Sequence, residues 1–424
     1  MRQRSVTGPL ILIGVGVVLL LHEFTPDFSV FRLLGEYWPF AVILAGLLGL
    51  AEVLFHASRG NPIPPRPISG WVWIFVVFGA MGAWGYHHGK VQIGQFESGG
   101  VSILGTSYDY GVNAETPTDG VSLVVIENLR GNVSLQGTDD RKVLVTGHRT
   151  VRAYNKKDAD RANAGTVKLE RHGETVIVHG ETPDAQQALD VSGDLEIQVP
   201  RGVNVEVSNS RGDIRLSDLS KDVKVDTKRS SLVRISNVKG KLSLNGSGED
   251  VQLETIGGPV NVNGKYAGTL EFRSLAQSLH FQSDVTDMRV EAVPGSVTLD
   301  LSDLRMKNVT GPVRFTTKSR DVQIEEATNS VELDLERGDI EIEGGKPLPK
   351  MDIHTRRGNI DLSIPETAAF DLKANTEQGE VENDFGNALT IATVGRASSA
   401  KGSVGKGPGV QLVTGRGTVS IKKK

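Results

Sequence analysis

Pairs of apolar residues separated by one polar residue recur from Ile214/Leu216 to Ile360/Leu362, mostly at intervals of nine or ten residues. Each pair predicts a short β-strand, because side chains alternate between the two faces of a strand and only the apolar pair then points inward. One such strand cannot bury its own apolar face, but stacked copies can, so a fixed period predicts a repeat architecture. Two steps depart from the period, a shortened one at Leu304 and a lengthened one at Met351.

The joints between the pairs bear on the fold class. A β-sandwich or barrel also places strands every 8 to 12 residues or so, so spacing alone does not decide the fold. Joints such as Lys221-Asp222 and Arg320-Asp321 are short and lack the Asn-Gly dipeptide typical of hairpins. They predict corners and not reversals of the chain. The predicted fold class is therefore all-β, a parallel β-solenoid with about nine residues per strand.

The number of strands in each coil stays open between two and three. Glycine precedes the first, fourth, seventh and tenth apolar pairs, where it would supply a corner with positive φ. This spacing favours three strands and about 27 residues per coil, whereas a flattened coil of two strands needs about 18. The glycines concerned are Gly212, Gly240, Gly268 and Gly295.

Three long apolar segments precede the repeat and hold or border all four tryptophans. They predict three transmembrane helices, at about 8–21, 39–55 and 70–85, each near the lower length limit for a bilayer. No small-x-small cleavage site follows the first segment, which argues against a cleaved secretory signal. Basic residues without acids flank the N-terminus and the second connecting loop, whereas acids dominate the first loop. The predicted protein is therefore multi-pass in the plasma (inner) membrane, with everything after Tyr86 extracytoplasmic or periplasmic.

The chain is predicted to contain five parts. They are a membrane domain (1–86), a tether (87–120), an N-terminal β region (121–200) with a short helix at 155–164, a regular β-solenoid (201–365) and an irregular C-terminal β region (366–424). The ends of a solenoid expose unpaired backbone and need covering. The two β regions that flank the solenoid are the predicted caps.

Two parts of the chain resemble known families. The series VSLVVIENLRGNVSLQG, DLEIQVP and VEVSNSRGDIRL, with a short alanine-bearing helix at 158–164, resembles the putative-adhesin β-strand-repeat family of bacterial envelope proteins. The segments GPLILIGVGVVLLL and WPFAVILAGLLGLAEVL are similar to the transmembrane region of the LiaI/LiaF-like membrane proteins. The resemblance implies a membrane-anchored β-solenoid linked to the cell-envelope stress response, and it implies no catalytic residue.

Composition and motifs predict no catalytic chemistry. The chain has no cysteine and a net charge of −4 with interspersed signs, which gives no electrostatic case for nucleic-acid binding. Phosphate-loop, zincin and nucleophile-elbow motifs are absent, and the nine histidines are scattered, so no cofactor and no metal site is predicted. Two Arg-Gly-Asp tripeptides, at 211–213 and 337–339, fall at predicted corners, where Gly and Asp serve turn geometry.

The outward residue within each apolar pair changes charge along the series. It is basic at the start and acidic at the end, which predicts a solenoid that is electrically polar along its axis. We interpret these positions as a candidate binding surface or a head-to-tail association surface, with chance clustering on a solvated face as the alternative. The positions are Arg215, Lys224, Arg234, Glu332, Glu341, Asp352 and Asp361.

Three functional hypotheses follow. The first is a non-enzymatic envelope protein whose solenoid binds another envelope or membrane protein, or a cell-wall glycan, in stress sensing or regulation. The second is a structural or adhesive solenoid that binds surfaces, glycans or itself. The third is an enzyme such as a polysaccharide lyase, which would need a cluster of carboxylates in a groove. The first is favoured, because three membrane helices exceed what a simple anchor in the lipid bilayer requires.

Overall fold

The computed structural model of the protein describes residues 105–163, 167–180 and 190–424. The three predicted membrane helices, at 8–21, 39–55 and 70–85, lie outside these residues. Within the described ranges, no helix has the length and apolar character needed to cross a bilayer.

The regular secondary structure of the described residues is almost entirely β-strand, which confirms the all-β class. They also contain one α-helix, α1 (Lys156–Asn163), inside the segment predicted to be helical, and one 3₁₀ turn (Gly386–Ala388). The strands are β1 (Thr106–Pro117), β2 (Leu123–Asn128), β3 (Val133–Thr138), β4 (Lys142–Ala153), β5 (Lys168–His172), β6 (Thr175–His179), β7 (Asp190–Pro200), β8 (Asn204–Asn209), β9 (Ile214–Leu219), β10 (Val223–Val238), β11 (Leu242–Ile256), β12 (Val260–Tyr266), β13 (Leu270–Leu275), β14 (Leu279–Gln282), β15 (Thr286–Val290), β16 (Val293–Leu299), β17 (Asp303–Lys307), β18 (Val313–Thr317), β19 (Asp321–Ala327), β20 (Val331–Leu335), β21 (Ile340–Gly344), β22 (Met351–Thr355), β23 (Ile360–Ile364), β24 (Phe370–Gln378), β25 (Val381–Asn383), β26 (Leu389–Val394), β27 (Ala397–Val404), β28 (Gly409–Arg416) and β29 (Val419–Lys423).

The described chain divides into two compact units. The smaller one comprises 105–110, 150–163 and 190–191, and the larger one comprises 111–149, 167–180 and 192–424. In the smaller unit, helix α1 begins with a reciprocal cap: the Asp158 amide donates to Oδ1 of Asn155 at 2.9 Å, and Nδ2 of Asn155 donates to Oδ2 of Asp158 at 3.0 Å. The cap satisfies an amide that the first turn would otherwise leave without a partner.

The larger unit is built from two ladders of strands. Successive coils are mostly 18 or 19 residues apart along the chain, as in the contacts of Arg234 with Gln252 and of Asp222 with Lys241, and 20 residues apart at the lengthened step before Met351. Each coil therefore contributes one strand to each ladder, and the three-strand coil favoured by glycine spacing is wrong. Ladder 1 holds, in spatial order, β5, β6, β2, β8, the first halves of β10 and β11, β12, β14, β15, β18, β20, β22, β28, β24, β27 and β26. Ladder 2 holds β7, β3, β9, the second halves of β10 and β11, β13, β16, β17, β19, β21, β23, β29 and β25.

The apolar pairs of the sequence form the core of this unit. Leu242 and Leu244 on ladder 1 and Val251 and Leu253 on ladder 2 are at most 1% exposed and belong to one buried cluster. Many ladder 2 strands add a third buried aliphatic residue, preceded by a residue with positive φ that bends the chain toward the next corner. These two-residue steps are Asp218-Leu219, Asn237-Val238, Thr255-Ile256, Ser274-Leu275, Asn308-Val309 and Glu326-Ala327.

One coil runs in the opposite direction to its neighbours. Strands β15 and β16 pair antiparallel with the strands on both sides of them, whereas the coils before and after pair in parallel. Two hairpins enter and leave this coil, with tips at 283–285 and 300–302, so the prediction of corners throughout is wrong here. The second hairpin explains the shortened step at Leu304. Side-chain oxygens of Ser283 and Asp300 accept backbone amides in the tips, so these reversals need no Asn-Gly dipeptide.

Each end of the coil contains strands that insert between others distant in sequence. Strands β2 and β3 lie between β6–β7 and β8–β9, and strands β28 and β29 lie between β22–β23 and β24–β25. The inserted strands carry buried residues such as Ile126, Leu135, Leu412 and Ile421. Insertion breaks the simple chain order, which accounts for the loosened register after Pro365.

Candidate binding surface

The two Arg-Gly-Asp tripeptides lie at corners between ladder 1 and ladder 2. Oδ1 of Asp213 accepts the Leu232 amide at 3.1 Å, and Oδ1 of Asp339 accepts the Asn359 amide at 2.7 Å. Each carboxylate therefore joins its corner to the next coil. Both tripeptides serve the stacking of coils, as their position in the sequence predicts.

The seven predicted surface residues all point outward but do not share one face. Lys224, Glu332 and Asp352 lie on the outer face of ladder 1. The other four lie on the outer face of ladder 2, namely Arg215, Arg234, Glu341 and Asp361. The structure thus separates the predicted surface into two.

The three basic residues at the start of the series have partners close by. Arg215 lies 3.0 Å from Asp213, and Nε of Arg234 donates to Oε1 of Gln252 at 2.8 Å. Lys224 contacts two carboxylates, at 3.3 and 3.5 Å, and its hydrogen bond with Asp226 raises the pKa of its amine. Lys224 and Arg215 are thus locally neutralised, which weakens the basic end of the predicted axial polarity.

The four acidic residues at the end of the series are also engaged. Oε2 of Glu341 accepts from Gln323 at 3.5 Å. Two others form ion pairs, Glu332 with Arg314 at 3.1 Å and Asp361 with Lys422 at 3.0 Å, and Oδ1 of Asp352 lies 2.8 Å from Nε2 of His354.

A groove of about 670 Å³ lies on the outer face of ladder 1, where β14, β15, β18, β20 and β22 run side by side. It contains two of the predicted residues, Glu332 and Asp352. Sequence reasoning missed the basic residues beside them, because the reversed strand β15 brings Arg289 opposite Arg314. One row of outward residues crosses the groove in direct register: His280, Arg289, Arg314, Glu332 and Asp352.

Charge is divided along this row. Arg289 and Arg314 form a basic half, to which His280 adds charge when protonated, and Glu332 and Asp352 form an acidic half. Glu291 and Lys350 also line the groove, and each adds one opposite charge beside these halves. The Arg314–Glu332 ion pair, at 3.1 Å, lies at the boundary. Asp287 partly offsets the basic half, because it lies 3.2 Å from His280 and 3.4 Å from Arg289. Charge along this row therefore changes sign between β18 and β20, and its basic residues are not the ones that the sequence predicted.

The groove is an open surface feature whose lining residues are mostly polar or charged. Its lining includes no Phe, Tyr or Trp side chain, and its outward side chains are mostly charged. Small-molecule sites are mostly apolar and enclosed. No group of side chains within the described ranges has the composition of a metal site. An open, charged strip of this kind suits a partner with complementary charges.

Comparisons with known proteins match separate parts of the chain. Residues 6–50 match the model of the LiaI-LiaF-like transmembrane region. Among solved structures, a putative cell adhesion protein from Clostridium sporogenes is 11% identical, with 75% of this chain and 100% of that chain covered and a TM-score of 0.19. A putative adhesin from Parabacteroides distasonis is 9% identical, with 75% and 98% covered and a TM-score of 0.22. No curated protein matches the chain.

A second family model matches the β-rich part of the chain. The match to the Toastrack DUF4097 model runs from residue 121 to residue 422 and so includes both ladders, the reversed coil and the groove. The region N-terminal to it accounts for association with the membrane. The chain belongs to the Toastrack DUF4097 family and carries a LiaI-LiaF-like transmembrane region at its N-terminus.

Proposed function

We propose that this protein is a non-enzymatic envelope protein whose extracytoplasmic β domain binds a partner during cell-envelope stress sensing or regulation. The groove with a basic half and an acidic half is the observation that carries the proposal. The two families, neither of them an enzyme family, support a membrane-anchored binding protein.

The partner that fits the groove best is another envelope or membrane protein. A protein surface can present an acidic patch next to a basic one, in the order that pairs with β14–β18 and then β20–β22. Such complementarity guides encounter and fixes the register of two surfaces. A neutral glycan would not use the charges of Arg289 and Arg314 on one side of the groove or those of Glu332 and Asp352 on the other.

The domain organisation supports this role. The helices at 8–21, 39–55 and 70–85 would anchor the chain, 87–120 would tether the β domain, and the regions 121–200 and 366–424 would cap the regular part, 201–365. The loops next to the predicted helices carry Arg without acids on the side assigned to the cytoplasm, which supports an extracytoplasmic β domain.

Topology is tested with reporters fused after Asn113. A reporter that is active only in the periplasm should be active, and one that is active only in the cytoplasm should be silent. The opposite pattern would place the β domain in the cytoplasm and refute the proposal.

The groove is tested by crosslinking in cells. A photoactivatable residue replaces Ser330, which is exposed and lines the groove, and a control replaces Thr298, on the outer face of ladder 2. Mass spectrometry should identify one envelope or membrane protein from position 330 and not from position 298. Crosslinks only to a second copy of the chain would support the self-associating solenoid instead, and equal crosslinks from both positions would refute the groove as the binding surface.

A further inference from the structure

A row of long, exposed side chains follows one edge of the larger unit, where ladder 1 strands turn into ladder 2 strands. It consists of Arg337, Arg357, Arg416 and Gln378, one from each successive corner, and of Arg396 from the adjoining hairpin turn between β26 and β27. We call these residues the arginine edge. Backbone hydrogen bonds link neighbouring corners: Gly338 N to Arg357 O at 3.0 Å, Gly358 N to Arg416 O at 2.9 Å, Gly417 N to Gln378 O at 3.1 Å and Gly379 N to Arg396 O at 3.1 Å.

The corner itself does not require arginine. Each residue of the row supplies a backbone carbonyl to its neighbour, and Gln378 does this as well as Arg357 or Arg416. The side chains are therefore not needed for stacking the coils. The presence of arginine at four of the five positions therefore needs another explanation.

The arginines of the edge differ from those on the strand faces. Arg273, Arg305 and Arg314 each form an ion pair with a carboxylate at about 3 Å. Among the described residues, no carboxylate forms an ion pair with an arginine of the edge; Arg416 instead donates Nε to Oε1 of Gln378 at 3.0 Å. Acidic residues occur on the same corners, at Glu336, Asp339, Glu377 and Glu380, but none of them forms an ion pair with an arginine of the row.

The spacing of the row concentrates positive charge along a line. Adjacent strands of a sheet are about 4.8 Å apart, so Arg337, Arg357 and Arg416 follow one another at that interval along their backbones. Like charges on neighbouring strands repel each other. A bound anion would relieve the repulsion, and guanidinium groups bind phosphate with two parallel hydrogen bonds.

We propose that the arginine edge binds a linear polymer that carries phosphate groups. The row is one residue wide and extends over five successive turns of chain, so a polymer can contact several arginines at once, whereas a single phosphate cannot. A membrane surface would call for a broad basic patch. The edge lies at the C-terminal ends of β20 and β22, whereas the groove lies at their N-terminal ends. The inference rests on the proposed function only in taking the β domain as a binding module.

The experiment uses the full chain in nanodiscs of neutral phosphatidylcholine and measures binding of labelled long-chain inorganic polyphosphate. The edge variant combines Arg337→Gln, Arg357→Gln, Arg396→Gln and Arg416→Gln, since Gln378 shows that glutamine is compatible with this corner. A matched control removes the same charge from faces and joints where arginine has an acidic partner, by Arg201→Gln, Arg215→Gln, Arg273→Gln and Arg305→Gln.

The edge variant should bind polyphosphate at least about tenfold more weakly than the wild type, and the control should change by less than about twofold. Four phosphate contacts predict roughly 50-fold weaker binding of the wild type when salt rises from about 50 to 200 mM. Orthophosphate should compete poorly. Unchanged cooperative unfolding of the edge variant establishes that its loss of binding is local.

Equal losses in both variants would overturn the proposal, because the binding would then follow net charge alone. Tighter binding to phosphatidylglycerol vesicles than to polyphosphate would overturn it in favour of a membrane surface. A failure of either kind is separate from failure of the proposed function, because crosslinking from position 330 reports on the groove and does not depend on the edge.

Discussion

Arg320 donates a hydrogen bond from Nε to Oγ1 of Thr286 at 3.3 Å and thereby ties the corner after β18 to the first residue of the reversed strand β15. Both residues are buried, and Thr286 also shares a hydrogen bond with Thr317 at 3.1 Å. Burial lowers the pKa of Arg320, and Asp300 in the neighbouring hairpin partly opposes this shift. The cluster therefore ties the first hairpin of the reversed coil to the corner after β18.

We expect Thr286→Val to destabilise the β domain by about 1 to 3 kcal/mol, because it leaves the buried guanidinium without an acceptor. Arg320→Met should cost less, since it removes the buried charge together with its unmet hydrogen bonds. Chemical denaturation of residues 105–424 measures both effects. The double variant should show a coupling of about 0.5 to 3 kcal/mol, and strict additivity would mean that the contact contributes nothing.

The core is tested by a neighbouring pair of positions in β11. Leu253 is 1% exposed and packs between the ladders, whereas the Gln252 side chain points outward and accepts from Arg234. Leu253→Asp should cost more than about 4 kcal/mol, because an unpaired charge enters a packed core. Gln252→Asp should change stability by less than about 0.5 kcal/mol. Comparable losses at the two positions would contradict the inward and outward assignment.

Asp300 predicts a pH dependence at the second hairpin. Burial acts to raise the pKa of its carboxyl, but hydrogen bonds from the Asp303 and Ser302 amides outweigh this and lower it below the ordinary value of 3.8. A carboxyl whose pKa is lower in the folded state stabilises that state above its unfolded pKa, and this contribution is lost as the pH falls through the folded value.

We therefore expect wild type to be more stable than Asp300→Asn at pH values above about 5 and the difference to shrink below about pH 4. Asparagine retains an acceptor but cannot titrate, which isolates the charge. Denaturation of both proteins across this range measures the effect. A difference that is constant with pH would show that the carboxylate charge has no part in holding the hairpin.

How much the sequence predicts depends on which residues carry the signal. The apolar pairs predict a stack of strands, and every one of them is buried. They do not reveal that each coil has two strands, because pairs on ladder 1 and pairs on ladder 2 have the same pattern. A second period, in the third aliphatic residues such as Leu219, Val238 and Ile256, follows coils 18 or 19 residues apart and would have revealed it.

The reversed coil limits prediction of the site more severely. The interval from Leu279 to Met288 is nine residues whether the joint between them is a corner or a hairpin, so the first reversal leaves no trace in the spacing. The second reversal is marked only by the shortened interval between apolar pairs at Leu304. Because Arg289 reaches Arg314 through this reversal, the basic half of the groove could not be assembled from sequence order alone.

The groove makes a different prediction from the axial polarity first read in the sequence. Arg215 and Lys224 contact acids of their own coil or the next, and Arg234 binds Gln252, so replacing all three by Gln should leave crosslinking from position 330 within about twofold of wild type. Arg289→Glu combined with Arg314→Glu should lower the yield by about tenfold or more, equal to about 1.4 kcal/mol. The reason is that two attractive contacts become repulsive at the centre of the groove, while both side chains are exposed enough for the fold to tolerate the change.

The measurement compares crosslink yields from the two variants in the same membranes. A loss in the triple variant with none in the double would return the binding surface to the beginning of the coil and remove it from the groove.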